Sequence, residues 1–154
     1  ADGFYLDLDS EIVPFDAIDY VTRNGLRERM FHDLDVGCYL LWEGWPRYRV
    51  FEDARLPAYP DAWHRALDTT PLEPRYFDPL LRKYGVETAL INYPDINMRA
   101  GSFDPGEWAL VYRDTQALVF VRRLPKFAAV IARDELPLRV RFSFTHGTSF
   151  ESLR

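Results

Sequence analysis

Ile12, Phe15, Ile18 and Val21 recur at every third position near the start of the chain. That period predicts an amphipathic helix over residues 14–24. Pro14 suits its first turn, where a missing N–H costs nothing, and Gly25 suits its C-terminal cap. Residues 29–32 predict a short strand. Residues 37–42 are apolar on every side, a pattern that fits a buried helix or a buried strand equally well. Residues 49–52 predict a strand ending at Asp53. Pro57 and Pro60 punctuate a loop, and a helix is expected over residues 61–67.

The Pro-containing stretch TTPLEP separates that helix from a second short one over residues 78–84, closed by Gly85. The stretch VETALIN, residues 86–92, is the clearest buried strand. Residues 93–107 hold two prolines and two glycines and are expected to form a loop. WALVYRD and ALVFVRR flank Thr115 and Gln116 and predict a hairpin. A last helix is expected over residues 127–136. In LRVRFSF, Leu138, Val140, Phe142 and Phe144 alternate with Arg139, Arg141 and Ser143, the pattern of a half-exposed strand. Helices interleaved with strands and followed by a hairpin predict one α/β domain. Its mixed sheet would carry helices in two or three Rossmann-like layers.

Composition narrows this picture. A chain of 154 residues suits a single domain with a real core. The hydrophobic share of 47% and aromatic share of 16% exclude a disordered chain. A net charge of −5, with arginines interleaved among acids, gives no basic footprint for nucleic acid. Cys38 is the one cysteine, so neither an internal disulfide nor a cysteine zinc site forms. Set within an apolar run, it is expected to be a small core residue. No run reaches the roughly 18 apolar residues of a membrane span. The opening ADGFYLDLDS has no initiator Met, basic region or apolar leader, so an excised piece of a longer protein is expected.

Candidate chemistry is sparse. Asp-x-Asp occurs at Asp7 and Asp9 and again at Asp33 and Asp35, a pattern able to hold a divalent cation on hard oxygen ligands. With aspartate at 15 of 154 positions, about one or two such pairs arise by chance. His32 adjoins the second pair, whereas His64 and His146 lie at no ligand spacing. Ser143, His146 and Ser149 lack a nucleophile elbow. Gly25, Gly37 and Gly44 are too far apart for a dinucleotide loop, and no phosphate-loop lysine motif occurs. The aromatics are expected to fill the core, although Trp45 and Trp108 could line a sugar or lipid groove. If Phe31 and Val50–Phe51 lay on adjacent strands, Asp33, Asp35, Asp53 and Arg55 would gather at the carboxyl ends of the sheet. Open α/β sheets place ligands there.

The order of these features resembles a known module. PFDAIDYVTRNGLRERMFHDLDVGCYLLWEG is followed by RVFEDAR, FDPLLRKYGVETALI and WALVYRDTQALVFVRR. Over residues 12–123 the chain is similar to the soluble C-terminal domain of bacterial multi-pass membrane proteins related to GT-C glycosyltransferases. Those include dolichyl-phosphate-mannose-type mannosyltransferase-like and oligosaccharyltransferase-like proteins. Residues 124–154 form a C-terminal extension outside the resemblance. The resemblance implies an auxiliary, non-catalytic domain on the extracytoplasmic face of the membrane, cut from a polytopic protein and needing no cofactor. The partners it implies are the protein's own membrane-embedded region and a glycan or lipid-linked sugar acceptor. Where the oligosaccharyltransferase carries WWDYG, this chain has residues 33–37, keeping the aspartate and glycine but neither tryptophan nor the tyrosine. The site residues so indicated are Asp35 and Gly37 with Asp53 and Arg55. Asp35 would accept from an acceptor hydroxyl and Arg55 would hold a phosphate or carboxylate as a bidentate donor. Two other expectations stand beside this one: a free-standing α/β enzyme using Asp33 and Asp35 with a divalent metal, and a purely structural interaction module.

Overall fold

The computed structural model describes residues 12–44, 46, 50–51, 60–92 and 98–138. Helix α1 (Phe15–Arg23) follows Pro14 and buries Ala17, Ile18 and Val21. It ends in a left-handed glycine: Gly25 has φ +66°, its N–H donates to the Thr22 carbonyl, and Leu26 N–H donates to Val21. This paired closure satisfies carbonyls that would otherwise lack partners at a helix end. Helix α4 (Pro74–Lys83) ends the same way, with Gly85 at φ +66° and bonds from Gly85 to Arg82 and from Val86 to Leu81. Each closure turns the chain into a strand of the sheet, β1 (Met30–His32) after α1 and β2 (Thr88–Asn92) after α4. The motifs N-G-L and Y-G-V thus set the entry of both parallel strands.

Among the described residues the sheet has four strands in the order β1-β2-β4-β3. β1 and β2 run parallel, while β3 (Trp108–Arg113) and β4 (Ala117–Arg122) form the expected hairpin. The Asp114 carboxylate accepts the amides of Gln116 and Ala117, each at 2.7 Å, and so fixes the hairpin turn. Both faces are covered, which makes the domain three-layered. On one face Ile18 and Val21 of α1 join Leu90, Val119 and Val121, together with Val36 and Leu40 of α2 (Leu34–Gly44). Helix α5 (Ala128–Asp134) adds Val130 and Ile131 to that side. On the other face Phe77 and Leu81 of α4 and Leu67 of α3 (Asp61–Thr69) meet Phe31, Ala89, Ile91 and Phe120. Alternation along β2 sends Leu90 to the first face and Ala89 and Ile91 to the second, as the pleat requires.

Several boundaries differ from the sequence pattern. The apolar run at 37–42 lies inside α2, where helical burial of Val36, Gly37 and Leu40 resolves the ambiguity. Helix α4 begins four residues earlier than expected because Pro74 occupies its first turn. Within the expected loop 93–107, Met98–Ser102 form a 3-10 turn. The expected last helix divides into a 3-10 turn, Pro125–Phe127, and α5. Val50 and Phe51 are not in a strand; among the described residues the sheet neighbour of β1 is β2. Trp108 is buried, so it lines no groove, whereas Trp42 is 68% exposed. Cys38 is half-buried. Asp7, Asp9, Trp45, Asp53, Arg55 and the LRVRFSF segment from Arg139 onward lie outside the described residues.

Candidate functional site at the carboxyl ends of the parallel strands

β1 and β2 end side by side, and Asp33 joins them. One of its carboxylate oxygens accepts Asn92 N–H at 3.3 Å. The other lies 3.5 Å from the Arg99 guanidinium, with both side chains about a quarter exposed (22% and 26%). Asn92 is buried at the end of β2, and its side-chain amide donates to the Ile12 carbonyl at 3.1 Å. Arg99, from the 3-10 turn, also lies over the Phe31 ring at 5.7 Å. An acceptor carboxylate and a planar donor fork therefore stand together at the carboxyl ends of the parallel strands, where open α/β sheets place ligands.

His32 sits behind this pair and is fully buried. The backbone N–H of Phe51 donates to Nε2 at 2.8 Å, so Nε2 must carry the lone pair. The proton is then on Nδ1, which donates to the Asp33 carbonyl at 3.0 Å. The imidazole is neutral and ties residue 51 to the end of β1. Phe51 also packs on Phe31 at 4.9 Å and on Trp63 at 4.5 Å, which walls the edge with aromatic rings. Phe31 and Phe51 meet through ring packing and the imidazole contact, and the adjacent-strand pairing considered from the sequence is not formed at residues 50–51.

Asp35 is exposed in the first turn of α2, where the helix dipole favours an anion. Gly37 is buried two residues further on, and its amide donates to the Asp33 carbonyl at 3.1 Å. The two aspartates of D-x-D thus occupy unlike settings: Asp33 bridges two strand ends beside a guanidinium, and Asp35 faces solvent from a helix. Among the described residues no three His, Cys, Asp or Glu side chains gather as a metal set. A cation at Asp33 would meet the positive charge of Arg99. Arg99 and Asn92 carried no sequence motif; the position of Asn92 at the end of VETALIN was the available signal.

A second polar cluster occupies the opposite end of the sheet. Asp78 of α4 accepts from Arg82 Nε at 2.6 Å, Arg122 Nη1 at 2.9 Å and Trp108 Nε1 at 3.0 Å. Arg122 is buried, lies 4.3 Å over the Trp108 ring and donates from Nε to the Val86 carbonyl. Arg82 continues to Glu107 at 2.6 Å. Burial pulls the Asp78 carboxyl upward, but the hydrogen bonds from Arg82, Trp108 and Arg122 together outweigh it and hold the group below its ordinary range. Such saturation fixes α4 to the hairpin and leaves little for a ligand to take.

Comparisons with protein-family models, with curated proteins and with solved structures find no match to this chain.

Proposed function

We propose that this chain is an auxiliary, non-catalytic domain of a GT-C-like membrane glycosyltransferase. It stands on the extracytoplasmic face, held by the protein's own membrane-embedded region, and shapes the binding of a glycan or lipid-linked sugar acceptor. The ordered resemblance over residues 12–123 supports the family. The observation that carries the role is the double character of α2. Its inner face buries Val36 and Leu40, while Leu34 and Trp42 remain 37% and 68% exposed. The same helix starts at the Asp33–Arg99 edge, so one element offers an apolar contact for the rest of the protein and a polar contact for an acceptor. Exposed tryptophan of this kind suits an interface in which one end of the ring stays wet.

The test uses the unbroken reading frame. It should encode multiple hydrophobic spans before Ala1, and the purified full-length protein should transfer sugar from a lipid-linked donor. Trp42→Glu should leave the isolated domain's melting unchanged and lower transfer by the full protein, while Asp33→Ala should raise the acceptor KM more than it lowers kcat. A reading frame without spans, or full activity in both variants, would contradict the proposal.

A further inference from the structure

We draw no further inference here: the strongest candidate, the apolar stripe of Leu34, Cys38 and Trp42 along the outer face of α2, belongs to the contact already proposed for that helix, and nothing in the structure shows what covers it.

Discussion

The two ends of the sheet carry similar residues in opposite states. At the far end, Asp78 receives three donors within 3.0 Å from α4, β3 and β4, and its main partner Arg122 is buried against Trp108. At the carboxyl end, Asp33 has a longer contact to Arg99, 3.5 Å, with both groups partly in water. A carboxylate saturated by fixed donors is committed to the fold. Asp33 stands at a longer distance from its arginine, and that arginine is a quarter exposed. The geometry of the donors, more than the presence of an Asp–Arg pair, separates scaffold from candidate site.

The comparison breaks most visibly at Arg122. Replacing it by Ala removes one of the three donors to Asp78 and the guanidinium packed on Trp108, while Arg82 and Trp108 still bond the carboxylate, so unfolding free energy should fall by about 2–4 kcal/mol in urea titrations. Next in size is His32→Phe. The ring volume is largely kept, but the Phe51 N–H loses its acceptor, and a loss of about 1–3 kcal/mol is expected. The domain should stay folded, because the cost lies at one end of a four-stranded sheet.

Acid sharpens the contrast. The folded-state pKa of Asp78 is lowered, so its contribution is fully present above the unfolded carboxyl value of about 3.9 and is lost as pH falls through the folded value. Asp134, lowered by hydrogen bonds from Arg133 and Tyr20, adds to the same window. Urea midpoints should therefore drop steeply below about pH 4, and Asp78→Asn should make that drop shallower without removing it. The smallest effect belongs to Asp35→Ala, an exposed position, where a change within about 0.5 kcal/mol is expected.

Much of the fold was legible in the sequence because local rules agreed with tertiary packing. Pro14 with Gly25, and Gly85 before the VETALIN strand, marked helix ends that the structure closes with left-handed glycines. The hairpin of β3 and β4 followed from two apolar runs around a short polar turn. Periodicity failed where an element is apolar on most sides, as in α2, since helix and strand then bury the same residues. The site was half legible. Asp33 at the end of β1 could be reached from D-x-D and the short strand before it. Arg99 could not, because its approach to Asp33 depends on a 3-10 turn 66 residues later that no periodic pattern announces. The Asp78–Arg122 cluster was equally hidden, since α4 and β4 come together only through the sheet.

The most direct test sets Asp78→Ala beside Asp33→Ala in parallel urea unfolding at neutral pH. A saturated carboxylate should cost about 3 kcal/mol or more when removed, because it strands the buried Arg122 charge. Removing Asp33 takes an acceptor from the Asn92 N–H and the partner of a part-exposed arginine, and should cost less, about 1–2 kcal/mol. Losses of equal size at the two positions would contradict the contrast between an end held by three short donors and an end whose Asp–Arg contact is longer.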